Sequence, residues 1–359
     1  MHYLALVLFF MVQVARPKVG KIAFLCYLIL LIVFAFLTRE GSWDYYGYLD
    51  YYECSISPSC DSVGFEPSYG YISQLAGSIA EEWGFELTYL FYIAVSIWIK
   101  ISLMSRYSKM FGFAVFSFIC YGYFVHDLTQ IRASLSIAVL WMAYFYWIEK
   151  KFLLAVLALM GAVFFHISAV LGVVIVVARF FSTKILLILS IAALLLGNHA
   201  ANVVNKLPDL GFNRLQVYVD ALGSEALSVP QLNFYAVTIF VIVCIAIKNG
   251  VAESSGVDGY AINAMLLGVL IYLCAYFIPV IPIRILEILS SLYPFVAASA
   301  YEKSKSKTEK IFLVILFFGL FVNTAIKNNT RIDFILPWHN ISINNMTEIQ
   351  YDQFIRSQE

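Results

Sequence analysis

The densest group of polar side chains in this sequence is the segment HDLTQIR, from His126 to Arg132, which separates two apolar runs. Arg132 begins the second run, and an arginine at the centre of a membrane helix costs about 2.5–3.5 kcal/mol even on lenient insertion scales. A guanidinium binds two phosphate oxygens at once and stays charged. One interpretation is therefore that Arg132 binds an anion. The alternative is that Arg132 reaches the lipid headgroups or pairs with Asp127 of the same segment.

Two more candidates stand where one apolar run gives way to the next. His166 lies in AVFFHISAVL, and it is either a hydrogen-bonded structural residue or a group that transfers protons. Arg284 ends the segment FIPVIPIR, whose two prolines separate one helix from the next. It either pairs with Glu287 three residues later or adds a second guanidinium to the cavity of Arg132.

Aromatic and acidic side chains follow the second apolar run, in TREGSWDYYGYLDYY. Tyrosine and tryptophan at a helix exit are typical of the interfacial belt of a membrane protein. Flat rings also stack on sugar faces while acids bind hydroxyl groups, so a carbohydrate site is the other interpretation. On that interpretation Arg39, Asp44 and Tyr45 are candidate binding residues, and Arg214 is a further candidate from a later polar segment.

The elements that must position these residues are membrane helices. Of the 359 residues, 62% are hydrophobic and 13% are charged, and the mean hydropathy is +0.82. An ordinary soluble domain carries about 25% charged residues, so this chain has too few polar residues to cover a core in water. A net charge of zero without any basic block argues against a nucleic-acid partner. The composition therefore predicts an all-α, polytopic integral membrane protein.

Apolar runs predict about twelve transmembrane helices, with eleven to thirteen as the range, in a single membrane domain over residues 1–359. The runs comprise residues 2–15, 22–38, 87–104, 111–124, 134–148, 152–165, 167–180, 185–196, 232–247, 261–280, 285–300 and 311–324.

The placement of Lys and Arg predicts the orientation. If the RPK turn after the first run faces the cytoplasm, fifteen Lys and Arg lie inside, Lys100 among them, and eight lie outside. Acidic residues divide the other way, five inside and eighteen outside. Because positive loops stay in the cytoplasm, the chain is predicted in the bacterial inner membrane with its histidine-rich, active face in the periplasm. The predicted periplasmic segments are residues 39–86, 198–231 and the tail 327–359.

Metal and cofactor motifs do not occur in the sequence. There is no HExxH helix, no glycine-rich phosphate loop and no CxxC pair, so neither a metal nor a cofactor is predicted. Cys54 and Cys60 share one outer segment with the spacing CSISPSC. A disulfide between them is allowed in the periplasm, but two cysteines define no framework, so the pairing stays open.

Four short motifs in residues 39–171 give the sequence a family resemblance. They are Trp43-Asp44-Tyr45-Tyr46, the Glu-Pro-x-Tyr-Gly-Tyr stretch at 66–71, Asp127 with Ile131-Arg132-Ala133, and Phe165-His166-x-Ser168-Ala169. In this order and spacing the sequence resembles the EpsG/Wzy group of exopolysaccharide and O-antigen polymerases. Arg284 falls where a later arginine of that group is often seen. Ala133 departs from the glutamine expected there, and the second half of the chain matches only in hydropathy.

The resemblance implies a metal-independent glycosyltransferase of GT-C-like architecture. Its substrates would be oligosaccharides on undecaprenyl pyrophosphate, with the growing chain moving to the non-reducing end of a new lipid-linked unit. Arg132 and Arg284 would hold the diphosphate as the bond breaks, and His166 would act as base, with Asp127 as the rival base. The remaining candidates, His126, Arg39, Asp44, Tyr45 and Arg214, would bind substrate.

Membrane lipids and a chain-length regulator, or co-polymerase, are the other partners that the resemblance implies. Two alternatives remain open. One is another lipid-linked glycosyltransferase, such as an O-antigen ligase. The other is a flippase or exporter of lipid-linked sugars, for which charge pairs inside the membrane are expected, and the sequence shows few candidates for such pairs.

Overall fold

The computed structural model describes residues 2–42, 44–57, 66–204, 233–252, 257–275 and 281–329. Within these ranges every regular element is a helix, which confirms the predicted all-α class. The α-helices are α1 (His2–Val12), α2 (Lys21–Leu37), α3 (Tyr45–Ile56), α4 (Pro67–Ile79), α5 (Gly84–Tyr107), α6 (Phe111–Phe118), α7 (Ile131–Ile148), α8 (Phe152–Phe165), α9 (Gly172–Val177), α10 (Thr183–Val204), α11 (Phe234–Lys248), α12 (Val257–Ala275), α13 (Ile281–Leu289), α14 (Tyr293–Lys303) and α15 (Lys307–Asn329). Short 3-10 turns occupy Arg39–Gly41, Glu81–Trp83, Ile167–Leu171 and Ala178–Phe180.

Several of the described helices are long and apolar enough to cross a membrane. Three pass on length and composition: Glu81–Tyr107, Ile131–Ile148 and Lys307–Ile326. A fourth is counted if Pro282–Leu289 and Tyr293–Lys303, bent by 54° at their junction, form one broken span. Seven further apolar helices of 10–17 residues are shorter than a full crossing. The chain is therefore built as a membrane protein, and the count of twelve spans stays a prediction.

Helix α7 lies at the centre of the described bundle, where it packs most extensively against α8 and α5. Small residues allow α7 and α8 to approach closely, because Ala155 and Ala162 of α8 are both buried. The Ser136 hydroxyl of α7 donates to the Ala162 carbonyl at 2.7 Å, so the contact includes a hydrogen bond between the helices. This packing fixes α7, whose first turn carries Arg132.

The described helix that leads into the HDLTQIR segment is of the rare π type. α6 continues without a break into a π-helix over Ile119–Asp127, of which all residues except Val125 are buried. π-helical turns widen the backbone and occur frequently at functional sites. Here the Tyr123 hydroxyl donates to the Leu31 carbonyl at 2.7 Å, which ties the π-helix to α2. The π-helix presents His126 and Asp127 at its last turn.

An ion pair buried in the bundle corrects one sequence prediction and rules out one alternative. The Lys100 ammonium lies 2.8 Å from the Asp127 carboxylate, and these side chains are only 1% and 0% exposed. Lys100 therefore does not face the cytoplasm as predicted: it sits inside α5, and its long side chain reaches the π-helix. Asp127 does not pair with Arg132, since its oxygens accept from Lys100, Ser96 and Ser134. Fourteen Lys and Arg then remain on the predicted inner side against eight outside.

Candidate functional site

Three segments distant in sequence meet at the carboxylate of Glu66. One carboxylate oxygen accepts a hydrogen bond from Arg132 Nη1, and the other contacts His166 Nδ1 and the Ile167 N–H, the latter at 3.4 Å. The side chains of Glu66, Arg132 and His166 are 13%, 18% and 28% exposed, so the cluster is partly shielded from solvent. Charged hydrogen bonds in such a setting are stronger than those on an open surface.

Local sequence explains how each member of this cluster is held. Glu66 stands immediately before α4, whose first residue is Pro67, a favoured opening for a helix. α8 ends at Phe165, and His166 turns into extended backbone while its N–H still bonds the Ala162 carbonyl at 3.0 Å. The Arg132 guanidinium lies 5.4 Å from the centre of the Tyr48 ring, a cation–π distance.

The cluster keeps Glu66 ionised. Partial burial by itself disfavours the charged carboxylate, but the hydrogen bond with His166 and the positive charge of Arg132 outweigh that cost and lower the pKa of Glu66 to about 2. At neutral pH the carboxylate is therefore a full negative charge. Facing an ionised carboxylate, the His166 ring has Nδ1 as its donor, which leaves Nε2 as the second ring nitrogen.

A second group of polar side chains surrounds Arg284, on the short helix α13. Arg284 Nη1 donates to the Gln130 side-chain oxygen, which also lies 3.3 Å from His126 Nδ1. The same guanidinium lies 3.4 Å from Glu287, whose other oxygen accepts from the Tyr121 hydroxyl at 2.9 Å. Arg284 therefore pairs locally with Glu287 and also reaches the HDLTQIR segment, and its place in a cavity shared with Arg132 stays a prediction.

The two groups border a single cleft, of about 20 Å³, which is room for roughly one water molecule. Its polar and charged lining is His126, Ser136, His166, Ser168, Arg284 and Glu287. Arg132 is linked to this cleft through Glu66, which holds His166. The cleft thus joins two of the predicted substrate-binding residues to the predicted base.

The carboxyl group of Asp44 interacts electrostatically with both arginines. Burial raises the pKa of this carboxyl, and the positive charges of Arg284 and Arg132 act against that rise. The two arginines stand 152 residues apart in the chain, and their convergence on one cavity stays a prediction.

Arg39 and Tyr45 make contacts of a more structural kind. Arg39 donates to the Phe36 carbonyl at 2.9 Å, which caps the end of α2, and its guanidinium lies 4.4 Å from the Phe36 ring. Tyr45 packs edge-on against Phe85 and Tyr89, with ring centres 5.2 and 5.8 Å apart. These are packing contacts within the protein, and the belt interpretation and a role in sugar binding both stay predictions.

Other predicted features have different outcomes. Arg214 and Trp43 lie outside the described residues, as does Cys60. Cys54 is disulfide-bonded, so the outer segment does carry a disulfide. Asp127 faces Lys100 inside the bundle, whereas its neighbour His126 faces the cleft. Within the described part of the chain, no group of three or more His, Cys, Asp or Glu is placed to hold a metal ion.

Glu66 is the functional candidate for which the sequence analysis had no role. It appeared only as the first residue of the Glu-Pro-x-Tyr-Gly-Tyr stretch. Its two partners lie 66 and 100 residues away, so no local spacing predicts them. The available signal was a carboxylate placed directly before a helix-opening proline in an outer segment, and that signal does not identify a partner.

Comparisons with known proteins give one result. Neither a curated protein nor a solved structure matches the chain. The sequence model of the EpsG family matches residues 2–340, which is nearly the whole chain and includes every residue of the two groups around the cleft. That match extends through the second half, where the sequence analysis found agreement only in hydropathy. The chain belongs to the EpsG family.

Proposed function

We propose that this protein polymerises surface polysaccharide on the periplasmic face of the bacterial inner membrane. It would transfer a growing glycan from undecaprenyl pyrophosphate to the non-reducing end of a new lipid-linked unit. The EpsG family consists of membrane proteins of the polysaccharide-polymerase type, which supports the class of reaction. The observation that carries the proposal is the position of His166, which shares the Glu66 carboxylate with Arg132 and borders one cleft with Arg284.

The leaving group explains why two arginines are needed. The bond between the anomeric carbon of the growing chain and the diphosphate oxygen breaks, and its electron pair stays on the diphosphate. An oxocarbenium-like sugar forms as this charge develops, so fixed cations stabilise the transition state more than the ground state. Arg132 and Arg284 are such cations and need no metal. Asp44 is suited to bind sugar hydroxyl groups.

His166 is the proposed base. The acceptor hydroxyl attacks the anomeric carbon, and its proton passes to the imidazole of His166, which borders the cleft. With Nδ1 held by Glu66, Nε2 is the nitrogen that remains to take the proton. His166 is preferred over Asp127 in this role because Asp127 is fully buried against Lys100.

A lipid-linked substrate is supported by an apolar groove beside the polar cleft. The groove has a volume of about 160 Å³ between α7, α8 and α9, and its lining includes Tyr144, Trp147 and Leu159. Leu140 lines both the groove and the cleft, so the two are neighbours along α7. In the proposal the groove takes part of the prenyl chain, in an architecture of about twelve spans of GT-C-like type. A chain-length regulator is the expected protein partner.

The direct test is polymerisation by the purified protein on lipid-linked repeat units, with product length read on gels. Arg132→Ala should leave single repeat units, because the diphosphate loses one of its cations. Arg106→Ala is the matched control: Arg106 pairs with Glu149 near the other end of α7 and should retain long chains. Long chains from a well-expressed Arg132→Ala variant would exclude this mechanism.

The buried Lys100–Asp127 pair is the one observation that favours a second candidate, a flippase of lipid-linked sugars. A knockout distinguishes the functions by what accumulates. Loss of a polymerase leaves repeat units on the periplasmic leaflet, and loss of a flippase leaves them on the cytoplasmic leaflet. Loss of a ligase leaves long chains that are not attached to their acceptor.

A further inference from the structure

We infer that the Glu66 carboxylate is a built-in substitute for the substrate diphosphate: it occupies the anion site of Arg132 in the free protein and yields that site when diphosphate binds. The inference rests on the proposed function, because it assigns the diphosphate to Arg132. It adds a role for Glu66 and a coupling between substrate binding and the base.

The contacts of Glu66 are those of a bound anion. Its two oxygens meet a guanidinium N–H, an imidazole nitrogen and the Ile167 backbone N–H, all donors that also suit phosphate oxygens. Glu66 comes from the segment before α4, whereas Arg132 and His166 come from the bundle at α7 and α8. The donors thus belong to the bundle, and the carboxylate reaches them from a different segment.

Glu66 and a diphosphate cannot both occupy the site without strong repulsion. The carboxylate is ionised throughout the neutral range, so it does not lose its charge to accommodate a second anion. Two anions on one guanidinium repel each other at short range in a partly shielded setting. The diphosphate therefore has to displace Glu66 from Nη1 of Arg132.

Displacement from Arg132 leaves Glu66 in contact with His166. The carboxylate then still holds Nδ1, which fixes the ring orientation and keeps Nε2 directed to the acceptor hydroxyl. Binding of the donor substrate and orientation of the base are thereby linked through one side chain. Glu66 acts as a positioning residue for His166, not as a group that touches the reacting atoms.

Binding of inorganic pyrophosphate to the detergent-purified full-length protein tests the inference by calorimetry. Glu66→Gln keeps the shape and removes the competing charge, so it should bind pyrophosphate about tenfold more tightly than the unaltered protein. Glu149→Gln is the matched control, because Glu149 also bridges two cations, Arg106 and Lys151, but near the other end of α7. Its affinity should be unchanged, and Arg132→Ala should bind weakly or not at all.

Equal or weaker binding by Glu66→Gln, or binding by neither protein, overturns the inference. If Glu66→Gln fails to fold, Glu66→Asp replaces it: the charge is kept, the reach is shortened by one carbon, and tighter binding of pyrophosphate is again expected. If pyrophosphate binds as expected but polymerisation does not depend on Arg132, the proposed function fails while the anion site stands.

Steady-state kinetics provide the readout that a purely structural role does not move. With lipid-linked donor, Glu66→Gln should lower KM, because the competitor is gone, and lower kcat about tenfold or more, because His166 is no longer held by a charge. If Glu66 were merely structural, its replacement would lower kcat or raise KM and would also lower the thermal stability. Glu66→Gln that raises KM at unchanged stability contradicts the displacement.

Discussion

At the scale of single residues, the site depends on how the two nitrogens of His166 are divided. Nδ1 is held by Glu66, and the ring borders the cleft that also contains Arg284. A histidine held in this way has one tautomer and one orientation, so its second nitrogen, Nε2, is available to accept a proton. The same contact stabilises the polar imidazole at the end of α8, where the neighbouring residues in the sequence are mostly apolar.

Replacement of His166 tests this division of roles. His166→Asn places an amide near the position of Nδ1 and keeps a donor for Glu66, but it removes the base. We expect a loss of about 10²- to 10⁴-fold in polymerisation rate with little change in stability. The measurement is the rate of chain growth on lipid-linked units, and His2→Gln on α1 serves as the histidine control. Full-length polysaccharide from His166→Asn would show that His166 is structural.

The sequence singled out individual residues as candidates but not their partners. Arg132, His166 and Arg284 are charged or titratable groups at the ends of apolar runs, where each is costly and therefore conspicuous. Glu66 lies in a polar segment among other acids, where a carboxylate is ordinary. Its importance comes from contacts across 66 and 100 residues, and these depend on how the helices pack.

At the scale of elements, hydropathy located the apolar helices but not the polar ones. The run 152–165 coincides with α8, and the run 111–124 lies within α6 and the π-helix that follows it. The segment 39–86 was predicted to be periplasmic without any helix being assigned to it, and it contains α3 and α4. Their tyrosine, serine and acidic residues keep the mean hydropathy low, so length and apolarity do not reveal them.

The π-helix and its buried ion pair permit a sharp test at this scale. Asp127→Asn leaves the Lys100 ammonium buried without a counter-charge, and removing one member of such a pair costs about 3–5 kcal/mol. We expect a clear fall in the thermal unfolding temperature in detergent. Lys100→Met combined with Asp127→Leu removes both charges, while Ser96 and Ser134 still bond each other at 2.8 Å.

The double variant should recover most of the stability and also the polymerising activity, because the pair holds the π-helix and takes no part in the reaction. A double variant that is stable but makes no polymer would return Asp127 to the mechanism as the base. If instead it polymerises supplied units but fails to move them across the membrane, the pair serves transport.

At the scale of the whole molecule, the candidate site and the Glu149 ion pairs lie at opposite ends of the helices. Arg132 and His166 stand at one end of α7 and α8, whereas the ion pairs of Glu149 with Arg106 and Lys151 lie at the other. The disulfide at Cys54 belongs to the segment that leads to Glu66, and disulfides persist on the oxidising side of a membrane. Both features support an orientation with the site in the periplasm.

Labelling of single introduced cysteines by a membrane-impermeant maleimide in intact spheroplasts tests this orientation. Glu82→Cys, exposed near the start of α5, should react directly, because it lies at the end of the bundle that carries the site. Lys151→Cys, exposed in the turn after α7, should react only after the membrane is permeabilised. The unaltered protein gives the background from its own cysteines. The reverse pattern would put Arg132 and His166 on the cytoplasmic side, where periplasmic lipid-linked chains could not reach them, and the polymerase proposal would have to be abandoned together with the orientation.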